Sequence, residues 1–124
     1  AEQRSSLAAL MSSRNPVLVA AVTLMDRHLD EPLSMDELAQ ATGCSSRHLE
    51  RLFRGAVGKT PGDFYRGLRL DRARNLLSTT DLSLTEVSIA CGFSTVSHFS
   101  KSFRARFGTP PSKLANGILP VKAL

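Results

Sequence analysis

The stretch that decides the fold is LSMDELAQATGCSSRHLERLFRGAVGKTP (33–61), because the chain repeats it as LSLTEVSIACGFSTVSHFSKSFRARFGTPP (82–111). The copies are offset by 49 residues up to the turn and by 50 from Leu49 and Phe99 onward, so the second copy carries one extra residue near the start of its second helix. Matching positions include Ser34/Ser83, Glu37/Glu86, Ala41/Ala90, Gly43/Gly92, Phe53/Phe103, Arg54/Arg104 and Gly58/Gly108. A repeat of this length indicates a duplicated structural unit.

The first helix of each copy is predicted to begin at a capping box. In Ser34-x-x-Glu37 and Ser83-x-x-Glu86, the Ser side chain accepts from a first-turn amide and the Glu side chain reaches back to the amide of the Ser. A glycine follows about two turns later in each copy, where a residue that tolerates positive φ can end a helix. Each copy therefore starts with one short helix.

A second helix is predicted after each glycine. Ser45 in the first copy, and Ser94 or Thr95 in the second, can cap it. Its apolar residues follow the helical spacing i, i+3, i+4 and form one buried face. They are Leu49, Leu52, Phe53, Phe99 and Phe103. Each copy is thus two helices around a short glycine turn, which is the description of a helix-turn-helix unit.

The remaining segments complete an all-α fold of about seven helices. Residues 62–78 predict one continuous amphipathic helix, a stiff spacer of roughly 25 Å at 1.5 Å per residue. Its single apolar side is predicted to consist of Phe64, Tyr65, Leu68, Ala73, Leu76 and Leu77. Asn15-Pro16 predicts the start of a leading helix that ends before Pro32. We divide the chain into a linker remnant (1–14), a first helix-turn-helix unit (15–61), a connecting helix (62–81), a second unit (82–117) and a tail (118–124). Because the chain begins with Ala1 rather than Met, we expect it to be a piece of a longer protein.

Composition excludes several classes of protein. At 124 residues and 42% hydrophobic, the chain suits one domain or two very small ones. Its longest apolar run, 17–25, is shorter than the roughly 20 residues that cross a bilayer. Two cysteines, Cys44 and Cys91, favour a reducing cytoplasm over a disulfide scaffold, although one bridge between them remains open. No CxxC, HExxH or paired-His spacing is present, so we expect no metal, no cofactor and no catalysis.

The basic charge lies in the later part of the chain. Residues 1–46 contain three basic and six acidic residues, whereas residues 47–124 contain 13 basic and five acidic residues. An anionic partner is therefore expected to bind the later part. The side chains exposed on the second helices suit contact with double-stranded DNA in the major groove. The rival interpretations are a solvated helix face and a non-catalytic helical adaptor that binds protein.

The duplicated pattern resembles the DNA-binding domain of the AraC/XylS family of bacterial transcription regulators over roughly 15–116. The segments IACGFS (89–94) and HFSKSFR (98–104), with Phe107, Gly108 and Pro111, are its most specific part. By motif position, the resemblance implies base contacts from Arg47, Glu50, Arg51, Val96, Ser97, His98 and Lys101. It also implies RNA polymerase as a further partner. The leader 11–39 resembles regulators of this family that carry an amidotransferase-like sensor domain.

Phosphate contacts are predicted where helix N-termini and cations meet the DNA backbone. The candidates are Ser45, Arg54, Thr95, Arg104, Arg106 and Lys113. Lys113 stands near the place where the family commonly has Pro-Ser-x-Tyr-Arg and this chain has PSKLA (111–115), so we expect it to replace a lost contact. Two alternatives stay open: Glu50 pairs with Arg47 or Arg51 instead of reading DNA, and Arg104 pairs with an acid on the connecting helix. We expect the isolated domain to be monomeric and the full-length regulator to dimerise through another domain.

Overall fold

Seven helices and no strand make up the part of the chain that this computed structural model describes, residues 15–115. The helices are α1 (Pro16–Arg27), α2 (Met35–Thr42), α3 (Ser46–Val57), α4 (Pro61–Thr79), α5 (Leu84–Ala90), α6 (Val96–Phe107) and α7 (Ser112–Ala115). The predicted all-α fold is confirmed. The predicted linker remnant and tail lie outside the described residues. Within the described range, no helix is both long and apolar enough to cross a membrane.

Both predicted capping boxes are present. The Ser34 hydroxyl accepts from the Glu37 amide at 3.1 Å, and the Glu37 carboxylate accepts from the Ser34 amide at 2.8 Å. The Ser83 and Glu86 pair does the same at 3.0 and 2.8 Å. The helices α2 and α5 therefore begin where the local sequence places them, because a capping box needs only residues within one turn.

The turn between the two helices differs between the copies. Gly43 is the C-cap of α2 with φ 76°, whereas α5 ends at the C-cap Cys91 and Gly92 follows with φ 81°. Thr95, rather than Ser94, caps α6, and its hydroxyl accepts from the His98 amide at 3.0 Å. The extra residue of the second copy thus lies in the turn just before α6, so α3 and α6 both keep 12 residues.

The described chain forms two compact units that divide after Leu68, inside α4. The first unit contains α1, α2, α3 and the start of α4. In its core, the Phe53 and Phe64 rings lie 5.6 Å apart, centre to centre. The Tyr65 hydroxyl donates to the His28 carbonyl and accepts from the Leu33 amide at 3.0 Å. This buried tyrosine therefore ties α4 to the segment between α1 and α2.

The second unit contains the rest of α4 with α5, α6 and α7. Its core includes Leu70, Ala73 and Leu77 of α4, packed in one cluster with phenylalanines of the second copy. The prediction of a single apolar stripe along α4 is wrong, because Phe64 and Leu68 join the first core while the later apolar residues join the second. Leu70, buried to 3% exposure, does not belong to the predicted stripe.

Candidate nucleic-acid interface

The α3 helix buries one face and exposes its charged side chains on the other. Leu49 and Phe53 are fully buried, and Ser45 caps the helix by accepting from the His48 amide at 3.1 Å. The hydroxyl proton of Ser45 can still be donated to a phosphate oxygen. The predicted contact residues of α3 are all exposed: Arg47, Glu50, Arg51 and Arg54.

Glu50 pairs with Arg54, its carboxylate 3.4 Å from the Arg54 Nε. The predicted alternative, in which Glu50 pairs with Arg47 or Arg51, is therefore wrong. A Glu four residues before a basic residue is the favourable helical order, whereas Arg47 precedes Glu50 and Arg51 is its direct neighbour. Within residues 15–115, no carboxylate lies at ion-pair distance from the guanidinium of Arg47 or Arg51. Both side chains are exposed cations on the surface of α3.

A side chain of α2 holds the start of α3. The Ser46 hydroxyl donates to the Asp36 carboxylate at 2.9 Å. Asp36 is therefore a positioning residue for α3 that the sequence pattern did not predict. Its place in the first turn of α2, ten residues before Ser46, gave no local signal, because the contact depends on how the two helices pack.

The α6 helix repeats this arrangement with shorter side chains. Phe99 and Phe103 are fully buried. The predicted contact residues Ser97, His98, Lys101 and Arg104 are exposed, and Val96 is half-buried. Thr95 caps the helix, and like Ser45 it retains a hydroxyl proton to donate. Lys113 is exposed in the first turn of α7.

Arg106 pairs with the connecting helix. Its Nε and Nη2 lie 3.1 and 3.0 Å from one carboxylate oxygen of Asp71, and Nη2 lies 3.2 Å from the other. The two side chains are only 22% and 9% exposed. The predicted alternative, in which Arg104 pairs with an acid on the connecting helix, is wrong. Arg106 takes this place because it lies three residues after the buried Phe103 and therefore on the same side of α6. Arg104 is exposed and has no ion-pair partner among the residues that the structure describes.

The cysteines are separate thiols. Cys44 is half-buried and Cys91 is buried, and neither forms a disulfide, so the bridge left open above is absent. Burial raises the pKa of the Cys91 thiol to about 11, although the charges of Arg72 and Arg69 lower it in part. The Cys91 thiol is therefore protonated at neutral pH and a poor nucleophile. Across residues 15–115, no three His, Cys, Asp or Glu side chains are grouped so that they could hold a metal ion.

Residues 38–117 match a family described as "Helix-turn-helix domain". The transcriptional regulator CdhR of Pseudomonas aeruginosa is 48% identical over 121 residues, which is 98% of this chain and 36% of that protein. The regulator GbdR of Pseudomonas aeruginosa is 44% identical over 109 residues, 88% of this chain and 30% of that protein. The chain thus spans about a third of the length of the curated relatives it matches.

Two solved structures share the fold. An AraC-type DNA-binding regulator from Chromobacterium violaceum is 42% identical, with a TM-score of 0.78 over 85% of this chain and 95% of that one. The DNA-binding domain of AdpA, a global transcriptional factor solved with a target DNA, is 28% identical, with a TM-score of 0.79 over 87% and 96%. The fold and its two exposed helices are thus those of a helix-turn-helix DNA-binding domain. The chain belongs to the AraC/XylS family of transcription regulators.

Proposed function

We propose that the chain binds double-stranded DNA at an asymmetric site, with α3 and α6 each lying in a major-groove segment. The observation that carries this proposal is the surface of α3, where Arg47 and Arg51 are exposed without a carboxylate partner. Arginine can pair through two hydrogen bonds with guanine O6 and N7, and it also neutralises phosphate. The domain is a binding module and not an enzyme, in agreement with the named relatives, which are regulators.

The contact residues are proposed in two groups. Base contacts are assigned to Arg47, Glu50, Arg51, Val96, Ser97, His98 and Lys101. Phosphate contacts are assigned to Ser45, Arg54, Thr95, Arg104 and Lys113. The ion pair with Asp71 favours a structural role for the remaining candidate, Arg106. Glu50 stays a candidate because its pair with Arg54 is exposed and such pairs are weak enough to exchange for a DNA contact.

Footprinting of the domain on selected sites tests the proposal. One chain should protect two consecutive major-groove segments about 10 bp apart, because two recognition helices on one chain must follow the turn of the DNA. Protection of a single segment would overturn the two-helix arrangement. A helical adaptor that binds protein would give no saturable gel shift. A double variant, Arg47→Ala with Arg51→Ala, should lose protection of one segment first.

The cellular location, the protein partner and the oligomeric state of the parent regulator are also proposals. We place the parent regulator in the bacterial cytoplasm, where its DNA lies, with RNA polymerase as a further partner. The isolated domain is proposed to be monomeric, and the longer regulator dimeric through an amidotransferase-like sensor domain. Gel filtration of the domain and of the whole regulator would test the last two statements.

A further inference from the structure

One side chain of α4 holds the turn between α5 and α6. Nη1 of Arg69 donates to the Gly92 carbonyl at 2.9 Å and lies 3.5 Å from the Cys91 carbonyl. Carbonyls at the C-terminal end of a helix carry partial negative charge, so a cation there is stabilising. Arg69 therefore closes the end of α5 and supports the turn in which Gly92 has φ 81°.

The same guanidinium lies against an aromatic ring that in turn contacts His98. The Arg69 Cζ is 4.5 Å from the centre of the Phe93 ring. The Phe93 ring, 5% exposed, meets the His98 imidazole edge to face at 5.5 Å between centres. It also packs against Phe99 at 5.3 Å. The three side chains Arg69, Phe93 and His98 form a continuous contact from the connecting helix to the exposed surface of α6.

We propose that Arg69 is a positioning residue that, through Phe93, fixes the imidazole of His98 and so sets the base-pair preference of α6. The inference rests on the proposed function, since it assigns a cause to the preference of one of its two helices. An exposed histidine samples several rotamers, and binding must restrict them at a cost in entropy. Contact with a ring that is itself held in place reduces that cost for a single orientation of the imidazole.

The first unit lacks this arrangement. His48 occupies the position of α3 that His98 occupies in α6, 50 residues earlier. The residue after the turn glycine is Cys44 there, where the second copy has Phe93, and the Cys44 Sγ lies 3.5 Å from the Thr42 hydroxyl. No aromatic ring follows the turn glycine of the first copy to hold His48. We therefore expect His98, and not His48, to contribute to base preference.

The test measures binding to a footprinted site and to its single base-pair variants. The proteins are wild type, Arg69→Lys, His98→Ala, the double variant, and Arg72→Lys as a control on the exposed side of α4. Lysine keeps the charge but loses the planar group that stacks on a ring. Arg69→Lys should reduce preference under α6 by about fivefold, the lower end for losing one good base contact. His98→Ala should reduce it at the same base pair, and the double variant should show no further loss.

Other outcomes would overturn the inference. Equal weakening on all sequences by Arg69→Lys, with unchanged preference, would mean that Arg69 only stabilises the fold. Unchanged preference in His98→Ala would leave Arg69 nothing to position. If Arg69→Lys does not fold, Phe93→Leu replaces it, because leucine fills the core without offering a ring to His98. If wild type binds with base preference and Arg69→Lys shows the same preference, only this inference is refuted. If wild type binds no DNA, the proposed function is refuted.

A readout without DNA completes the experiment. The imidazole carbon-bound protons of His98 lie near the Phe93 ring, so their NMR resonances should be shifted by its ring current. Arg69→Lys and Phe93→Leu should both move these resonances toward random-coil positions, whereas Arg72→Lys should not. Resonances that stay in place in Arg69→Lys would overturn the contact between Arg69 and His98 through Phe93.

Discussion

Two arginines of α6, separated by one residue, have different surroundings. Arg106 is bound by Asp71 and mostly buried, whereas Arg104 is exposed. Arg106→Ala should destabilise the domain by roughly 1–3 kcal/mol, because the Asp71 carboxylate is left buried without its partner. Arg104→Ala should leave stability nearly unchanged and lower the slope of log K against log salt by about one unit, the effect of one lost phosphate contact.

Thermal unfolding and salt-dependent binding of the two variants measure this difference. Both substitutions remove one positive charge from the same helix, so each is the matched control for the other. The assignment of Arg106 to the fold fails if Arg106→Ala keeps the melting temperature and lowers the salt slope. Asp71→Asn, which leaves Arg106 in place, should reproduce the loss of stability.

The buried Cys91 thiol predicts a dependence of stability on pH. Its pKa is raised to about 11 in the folded domain from an ordinary value of 9.0. Between these values, the unfolded thiol has lost its proton and the folded one has kept it, so the unfolded state binds fewer protons. The free energy of unfolding should therefore fall as pH rises from about 9 toward 11, with no contribution from this group below that window.

Chemical denaturation of wild type and Cys91→Ala across this range isolates the effect. Other groups that titrate near pH 10 contribute to both proteins and cancel in the difference. The free energy of unfolding of wild type minus that of Cys91→Ala should be constant below pH 9. Above pH 9 this difference should fall, because only wild type carries the buried thiol. A difference that does not change up to pH 11 would show that the thiol ionises equally in both states.

Sequence reasoning worked best for single residues whose partners are close in the chain. The caps at Ser45 and Thr95 accept from amides three residues ahead, so the local sequence located Ser45 and narrowed the second cap to Ser94 or Thr95. The partner of Arg106 could not be predicted from the local sequence, because Asp71 lies 35 residues earlier. Only the packing of α6 on α4 decides whether Arg104 or Arg106 pairs with Asp71. The hydrogen bond from Arg69 to the Gly92 carbonyl was not predictable for the same reason, because the two residues lie 23 positions apart.

At the scale of an element, two glycines of the α3 segment should respond oppositely to alanine. Gly55 lies within α3 and Gly58 follows it with φ 70°, and a Cβ added at either would meet no atom within 4 Å. Space is therefore no constraint, and backbone conformation decides. Gly55→Ala should stabilise by about 0.5–1 kcal/mol, because alanine restricts the unfolded chain and suits a helix. Gly58→Ala should destabilise by about 1–2 kcal/mol, because L-residues disfavour the left-handed region.

Thermal unfolding of the two variants tests this expectation. They differ by the same single methyl group three positions apart, which makes them matched controls. Destabilisation by Gly55→Ala would show that α3 does not continue through this residue. No loss in Gly58→Ala would show that the left-handed end of the helix is not required. Gly108, with φ 77° at the end of α6, should behave like Gly58.

Helix limits were predictable, but the faces of the longest helix were not. The cap and glycine signals are local, and they located the start and end of α2 and the starts of α3 and α5. The α4 helix contributes to two separate cores, so its apolar residues do not follow one stripe. Which side of such a helix is buried depends on the units packed against it, and a one-helix periodicity cannot supply that information.

For the whole molecule, the repeat in the sequence predicted more than the overall charge did. The duplication gave two helix-turn-helix units, and family membership followed from the same residues. The uneven charge indicated only that an anion binds the later part of the chain. It could not separate cations that bind within the fold, such as Arg106 and Arg69, from exposed cations that we propose contact DNA, such as Arg47 and Arg51.

The two units should contribute unequally to sequence discrimination, the first more than the second. Arg47 and Arg51 lie at i and i+4 on the exposed face of α3, and each can pair with a guanine through two hydrogen bonds. The matching positions of α6 are Ser97 and Lys101, which cannot form that forked pair. Arg47→Ala or Arg51→Ala should cost about 1–3 kcal/mol against the preferred base and much less against others. Ser97→Ala should cost less.

Arg51→Lys and Lys101→Ala separate base reading from simple charge. Arg51→Lys keeps the charge, so the salt slope should stay constant while preference at one base pair falls. Lys101→Ala removes a positive charge and a proposed base contact that is not forked, so it should weaken binding to all sequences and change base preference less than Arg51→Lys does. Glu50→Ala distinguishes two roles of this carboxylate. Relaxed preference at a cytosine would mean that Glu50 accepts a hydrogen bond from the cytosine amino group. Uniformly tighter binding would mean that Glu50 only repels phosphate. Binding of each variant to a panel of single base-pair changes decides the ranking. If alanine changes between Val96 and Lys101 alter base preference more than those at Arg47 and Arg51, the second unit is the main reader.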